Sequence, residues 1–425
     1  MRKTICFLIL ILFLACSTTK KVEEISKKMP TIKLRLSEGS PKREGLWRQN
    51  LSISDIDSDG NLDIVAPPPR GEDKPVIFLG DGNGNFKEWE EVEFPDLSLG
   101  YGGVDVADID KNGLPDMALA CHSGRIFVLL QKEKGKFFDF SQGFPTPDKF
   151  SSRSVKFVDF DKDGVEEILA LDESAGVKEA FNLKRLKQKV FKLKNDKWEE
   201  IPIIFKKFPS MCFGDNVASG DFNLDGKTDF AISCHHNGAK EVLFINKEDG
   251  FSTEVIEALP DFSYLYRVRN ADFNKDGRED LLYSAQTYDK SEEARANPPT
   301  AVLARVVIAF NFSDGWKVEE IFRYNAGFDM FQFRAIAAGD LDGNGLVDIA
   351  AVLDSGEIYI YSNKDGRNFE KAQVEGFLSR GKSYWMDIKD INKDAKEDII
   401  IAYSFDKGGG NIDVYINETP EKSVK

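Results

Sequence analysis

The chain is poor in the residues that most often carry chemistry. Of 425 residues only 3 are His and 5 are Cys. Cys6 and Cys16 fall in the N-terminal segment, which leaves Cys121, Cys212 and Cys234, an odd number that excludes a full disulfide framework. There is no C-x-x-C-H run, so no haem attachment of that kind is expected. G-x-S-x-G, H-E-x-x-H and a phosphate-cradling Gly loop are missing too, and no catalytic activity is expected. Basic residues are in deficit, with 57 Lys and Arg against 72 Asp and Glu and a formal net charge of -15. A nucleic-acid backbone demands the opposite balance, so nucleic acid is not an expected partner. The N-terminal apolar run, Ile5 to Ala15, has 11 residues. A membrane-spanning helix needs about 20.

What that run does fit is an export signal. Arg2 and Lys3 form a positive start, the apolar run follows, and small Ala15 precedes Cys16. The arrangement resembles the lipobox of bacterial lipoproteins, with Phe13 where Leu is usual. It implies cleavage after residue 15 and lipid on Cys16. Ser17 resembles the outer-membrane address of the enterobacterial sorting rule. Residues 16–30 then read as a lipidated Cys and a flexible polar tether. The expected location is the cell envelope, lipid-anchored, in the outer membrane.

The rest of the chain is a repeat. A nine-residue acidic pattern occurs seven times, as DIDSDGNLD, DIDKNGLPD, DFDKDGVEE, DFNLDGKTD, DFNKDGRED, DLDGNGLVD and DINKDAKED. Position 1 is Asp55, Asp108, Asp159, Asp221, Asp272, Asp340 and Asp390. Position 3 is Asp57, Asp110, Asp161, Asn223, Asn274, Asp342 and Asn392. Position 5 is Asp59, Asn112, Asp163, Asp225, Asp276, Asn344 and Asp394. Position 9 is Asp63, Asp116, Glu167, Asp229, Asp280, Asp348 and Asp398. Position 7 is Asn61, Leu114, Val165, Lys227, Arg278, Leu346 and Lys396, which share no side-chain chemistry and offer only a backbone carbonyl. Oxygen side chains at four positions and a carbonyl at a fifth make a hard-oxygen cage suited to Ca²⁺. Up to seven structural calcium ions are expected, tightest in the loops of Asp55 and Asp159, which have four acids each. Position 6 is Gly except at Ala395, as a sharp left-handed turn requires.

An EF-hand would need Glu at position 12, where this chain has Ala66, Leu119, Ala170, Ile232, Tyr283, Ala351 and Ile401. Apolar, β-branched stretches flank each loop, so it joins two strands. Two more strands follow in each unit, giving four per repeat, the size of a propeller blade. The predicted fold is all-β, a seven-bladed β-propeller over residues 31–418, with a tail at 419–425. The last repeat is one strand short, and Thr31–Leu36 alternates like a strand, so it is expected to close the ring as an outer strand. On these loops the chain resembles the FG-GAP/VCBS repeat family, which builds the propeller of integrin α-subunits. That resemblance implies the fold and leaves function open.

In a meander, the connections without acidic loops share the opposite face. The candidate ligand rim there is Arg48, Tyr101, Arg153, Asp215, Tyr266, Arg334 and Tyr384, together with Trp47, Tyr264 and Trp385. Arg and aromatic residues are the types that anchor ligands. His122, His235 and His236 follow Cys121 and Cys234 on the same side, a weak hint of a metal. Insertions are expected between Ala175 and Glu199 and over Tyr288 to Thr300. The basic run Lys184–Lys194 reads as the guard of an outer edge strand. The expected function is a monomeric, calcium-stabilised binding module that recognises an envelope protein or glycan through this rim. The alternatives are a lyase-like enzyme acting on polysaccharide, or a scaffold subunit of an envelope assembly.

Overall fold

A computed structural model describes residues 29–173, 188–204, 214–234, 242–259, 264–288, 302–326, 332–405 and 409–420. Among them every element is a strand, and the strands form seven separate sheets. Each sheet contains an antiparallel strand pair that brackets an acidic loop: Ser52–Ser54 and Asp63–Ala66 in blade one, Val104–Ala107 and Asp116–Ala120 in blade two, Ser152–Val158 and Glu167–Asp172 in blade three. Blades four to seven repeat this with Val217–Gly220 and Asp229–Ile232, Tyr264–Ala271 and Asp280–Tyr288, Phe333–Gly339 and Asp348–Leu353, Lys382–Lys389 and Asp398–Ser404.

The second strand of a blade is buried on both faces, since sheets stack against it from both sides. Ile64, Met117, Leu169, Phe230, Leu281, Ile349 and Ile399 are all fully shielded from solvent. This explains the continuous apolar runs after each loop. Position 2 of every loop, Ile56, Ile109, Phe160, Phe222, Phe273, Leu341 and Ile391, is likewise at most 4% exposed and plugs the seam between blades.

The ring closes as expected. Thr31–Leu36 lies antiparallel to Gly410–Asn417, with Leu34 opposite Asn417 and Leu36 opposite Tyr415. Blade seven therefore takes its fourth strand from the other end of the chain. Lys189–Lys194 is the third strand of blade three, covered by Lys197–Ile201. The basic run, as far as it is described, is thus interior to the sheet and guards no edge. The described part of the stretch from Ala175 to Glu199, where an insertion was expected, belongs to blade three, in Lys189–Lys194 and Lys197–Ile201; residues 174–187 and 289–301 lie outside the described residues.

A side-chain latch crosses the seams. At or near the end of the third strand, five blades carry Gln131, Asn246, Asn311, Asn363 or Asn417. The side-chain amide of each donates to the position-2 carbonyl of the preceding blade, at 3.0 Å to Ile56, 2.8 Å to Phe160, 2.6 Å to Phe222, 2.8 Å to Phe273 and 3.0 Å to Leu341. The same amide also donates to the position-8 carbonyl of its own loop. Blade three has Leu193 at this place and blade one Gly80, where a Cβ would lie 2.2 Å from the Leu62 carbonyl. The seam at blade one is held instead by Ser37 Oγ donating to the Gly84 carbonyl at 2.7 Å, and by Lys393 Nζ on Asn61 Oδ1 at 2.7 Å.

Asn363 is fully buried. Asn363→Ala strands two carbonyls without a donor and is expected to lower stability by about 2–3 kcal/mol in urea unfolding. Exposed Asn368→Ala should stay within about 0.5 kcal/mol of the parent. Equal effects from the two would refute the latch.

Candidate metal centres and rim

Each acidic loop is shaped by its own backbone amides. The position-1 carboxylate accepts from the amides of positions 5 and 6, as when Asp55 takes Asp59 at 2.9 Å and Gly60 at 2.8 Å. Position 5 accepts from the amide of position 7, as Asp59 does from Asn61 at 2.7 Å. The pattern recurs up to the seventh loop, where Ala395 replaces Gly yet still donates to Asp390 at 2.9 Å. Ala395 has φ 66°, a left-handed conformation that costs a non-Gly residue about 1–2 kcal/mol. Position 4 is left-handed as well, at Ser58, Lys111, Lys162, Leu224, Lys275, Gly343 and Lys393. Nothing in those side chains foretold it.

The position-9 carboxylate is the deepest member. Asp63 Oδ2 accepts from the Ile56 amide at 2.9 Å and Oδ1 from the Gly80 amide at 2.8 Å, so one side chain joins loop, second strand and third strand. Burial, with the neighbouring carboxylates adding, pushes Asp63, Asp116, Asp229, Asp280, Asp348 and Asp398 up to about 7, against the backbone amides that hold them ionised. Burial also raises Glu167.

These loops can hold a metal ion. Asp55, Asp57 and Asp63 bring carboxylate oxygens within 4.8 Å of one another, and so do Asp108, Asp110 and Asp116, then Asp159, Asp161 and Glu167, then Asp340, Asp342 and Asp348. In the remaining three loops position 3 is Asn, a neutral oxygen donor. Positions 1, 3 and 9 thus converge, while much of position 5 is committed to the turn. A buried position-9 carboxylate with raised affinity for protons, beside two further acids, is equally a site that gains by taking a divalent cation.

A lysine reaches position 3 in the other three clusters, Lys134 on Asp57 at 3.1 Å, Lys132 on Asp110 at 2.5 Å and Lys364 on Asp342 at 3.5 Å, but in blade three one lysine reaches three carboxylates. Lys192 Nζ lies 2.5 Å from Asp161, 2.8 Å from Asp163 and 3.0 Å from Glu167. Burial works to lower this ammonium, but its hydrogen bonds to the three carboxylates outweigh that and raise it. An internal cation stands in the four-acid loop from which tight calcium binding was expected.

The opposite face carries the rim. Arg334 Nε lies 3.0 Å from Asp354 Oδ1, and its guanidinium stacks 5.3 Å from the Tyr266 ring and 5.7 Å from Tyr384. Arg48 stacks on Tyr384 at 5.5 Å. On the other side, Arg70 lies 5.7 Å from Tyr101, whose ring packs 4.8 Å from His122. His122 Nδ1 is 2.7 Å from buried Glu173, Arg153 Nε is 3.6 Å from the same carboxylate and 2.5 Å from Asp215, and Arg267 is 3.7 Å from Asp215. The structure therefore gathers all seven rim residues at one mouth and adds Arg70, Arg267, Glu173 and Asp354, which the sequence did not single out. Trp47 and Trp385 are instead core residues between blades seven and one. His235 and His236 lie outside the described residues. Cys121 is a free, buried thiol pushed up to about 12 by burial, and Cys234 is disulfide-bonded.

Below the mouth two buried arginines cross the channel. Arg267 donates to the Tyr384 carbonyl at 2.8 Å and Arg269 to the Met386 carbonyl at 3.2 Å, tying blade five to blade seven. Beneath them lies a polar cavity of about 280 Å³ lined by Asp105, Lys156, Asn216, Asp387 and Lys389.

Seven radial sheets with a closing strand and a loop in each define a β-propeller with cation-type acidic turns. A family profile described as FG-GAP-like repeat matches residues 55–119 and 333–401, spanning loops one, two, six and seven. Those two stretches are similar to FG-GAP-like repeats, and they sit in a seven-bladed β-propeller. No curated protein matches it. A chain from the crystal structure described as BBS1N in complex with ARL6DN, soaked with lead, is similar at 11% identity and a TM-score of 0.51, over 91% of this chain and 98% of that one. At that identity the likeness concerns the fold alone.

Two outcomes follow for the loops. The position-9 pKa values lie above their unfolded value of 3.8, so in chelator their contribution is complete below about pH 4 and is lost as pH rises through about 7. Calcium needs the ionised form, so the melting temperature gained on adding calcium is expected to grow across that range, with magnesium much less effective. Thermal melts that ignore both chelator and calcium would rule the metal reading out. Lys192→Met should melt lower in chelator and bind one more calcium per chain by native mass spectrometry; an unchanged stoichiometry would show that Lys192 does not stand in for an ion.

Proposed function

We propose that the protein is a calcium-stabilised, lipid-anchored binding module of a bacterial envelope, which recognises a protein or glycan through the mouth opposite its acidic loops. The observation that carries this reading is the arginine–tyrosine ring at the mouth. Five arginines, Arg48, Arg70, Arg153, Arg267 and Arg334, outnumber the three carboxylates that pair with them, Glu173, Asp215 and Asp354, a positive centre on a chain whose net charge is -15. Aromatic and Arg side chains held rigidly in a concave site are what recognition surfaces use. The signal-like N-terminus with Cys16 supports export and lipidation, and the disulfide at Cys234 suits an oxidising compartment. The acidic loops are read as structural clips, seven at most, with blade three already holding an ammonium.

A second reading, an enzyme acting on polysaccharide, is favoured by one feature. Glu173 fixes Nδ1 of His122, which leaves Nε2 of a ring that is 31% exposed as a base at the mouth. Unsaturated or shortened products from polysaccharide incubated with the full chain, lost in His122→Gln, would move the protein to this class.

The binding reading is tested in cells with a photo-reactive residue at Arg70 or, as a control on the loop face, at Leu224. Adducts from Arg70 and none from Leu224 are expected, and Cys16→Ser should release the chain from the membrane fraction. Adducts from the loop face alone would overturn the assignment of the face.

A further inference from the structure

The contacts around the mouth form a chain that runs almost the whole way round. From blade five it passes Tyr266, Arg334, Tyr384 and Arg48; from blade two it passes Tyr101, His122, Glu173, Arg153 and Asp215 and returns to Arg267 of blade five. The chain of contacts is open at blade one, between Arg48 and Arg70. The segments bearing these two arginines lie side by side, since the Arg70 amide donates to the Leu46 carbonyl at 3.2 Å and Trp47 Nε1 to the Pro67 carbonyl at 3.2 Å. Arg153 and Arg334 each face a carboxylate, whereas among the described residues Arg48 and Arg70 have aromatic partners and no acid within ion-pair distance. Arg48 Nε is moreover buried with no hydrogen-bond partner.

Two guanidiniums on one blade, oriented by tyrosine faces and left without counter-ions, are a preorganised receptor for a carboxylate, whose planar fork they match. The surroundings narrow the ligand. The large apolar side chains exposed among the described residues are Met29, Phe138, Leu224 and Leu378, and none belongs to the ring. A peptide interface would draw on apolar anchors of that kind. The ring offers instead aromatic edges, hydroxyls and charge, which suit a sugar with many hydroxyls and one carboxylate. The crossing arginines Arg267 and Arg269 floor the site, so a ligand lies across the mouth and does not thread the channel.

We infer that Arg48 and Arg70 form the carboxylate subsite for an acidic saccharide bound across the mouth of the propeller. This rests on the proposed binding role of that face. The probes are an oligogalacturonate, its carboxyl-reduced neutral form and an oligoglutamate, titrated by calorimetry into the full chain in detergent with calcium held constant. Oligogalacturonate should bind, the neutral form at least roughly tenfold more weakly, and oligoglutamate more weakly than the saccharide. Arg48→Ala with Arg70→Ala should weaken oligogalacturonate by roughly 100-fold, about tenfold per guanidinium. Arg70→Ala alone, at an exposed residue whose loss cannot disturb the core, should show its tenfold share, and Arg367→Ala on the outer edge should show none. Because an acidic glycan could also bridge to the loops through calcium, binding that survives the double substitution overturns the subsite. Equal affinity for the neutral form overturns the carboxylate, and oligoglutamate binding as tightly as the saccharide overturns the ligand class. If oligogalacturonate fails while adducts still form in cells from position 70, the face stands and the acidic saccharide falls; if both fail, the binding role falls too.

Discussion

The fold depends on a carboxylate placed where a carboxylate is costly. Position 9 of every loop begins the buried second strand, and Asp63, Asp116, Asp229, Asp280, Asp348 and Asp398 are fully shielded from solvent. Each holds two backbone amides that would otherwise be orphaned where the chain turns from loop to strand and from the third strand outward. Replacing it with an apolar residue would leave both donors empty, and replacing it with an amide would offer an N–H to another N–H. The acid is therefore fixed by hydrogen bonding before any metal is considered. Its charge then has to be met, and the convergence of positions 1, 3 and 9 is the means. In blade three the same demand is met by Lys192, which shows that the fold requires positive charge at this point more than it requires one particular ion.

The latch residues extend this logic from the blade to the ring. The backbone amide of Asn246 or Asn363 serves the carboxylate of its own loop, while the side-chain amide serves the carbonyl of the blade before it. Loop geometry is thus coupled across the seam to its neighbour, so that blades cannot tilt independently. The closing seam has Gly80 in place of the amide and relies on the N-terminal segment, through Ser37 and the Thr31–Leu36 strand. A ring made from one chain has to be closed by joining its ends, and here the join uses contacts different from those of the other seams.

Much of the fold was legible because its signals are local. The loop pattern, the buried position 2 and the lone alternating strand at Thr31 could each be read within a few residues. The latch was not, since Gln131 and Asn311 sit at varying distances from their loops and bond to a blade some 75 to 89 residues away. The left-handed position 4 escaped because Ser, Lys and Leu give no hint of it; the surrounding carboxylates impose it. A basic alternating run such as the one around Lys192 suggests an exposed edge, whereas in the sheet it lies between Glu167–Asp172 and Lys197–Ile201. At the mouth, Arg and Tyr types pointed to the right face, but which arginines are neutralised is decided by Glu173, Asp215 and Asp354, each on a different blade from at least one of its partners or a strand away.

Charge separation is the consequence that links fold to function. Loops of one kind all fall on one face because every blade has the same up-and-down order, so the acids gather there and the other face is free to be positive. In water a channel through the ring would let counter-ions and solvent soften that difference. Arg267 and Arg269 close it, and burial lowers both guanidiniums while Asp215 and Asp387 hold them charged. Two cations that cost this much to bury are tolerated because they brace blade five against blade seven across the channel and, at the same time, add their field to the mouth. The arginines above them then act in a concave, partly desolvated site where an anion is attracted more strongly than on an open surface, and Arg48 and Arg70, with no carboxylate of their own, are where that attraction remains unspent.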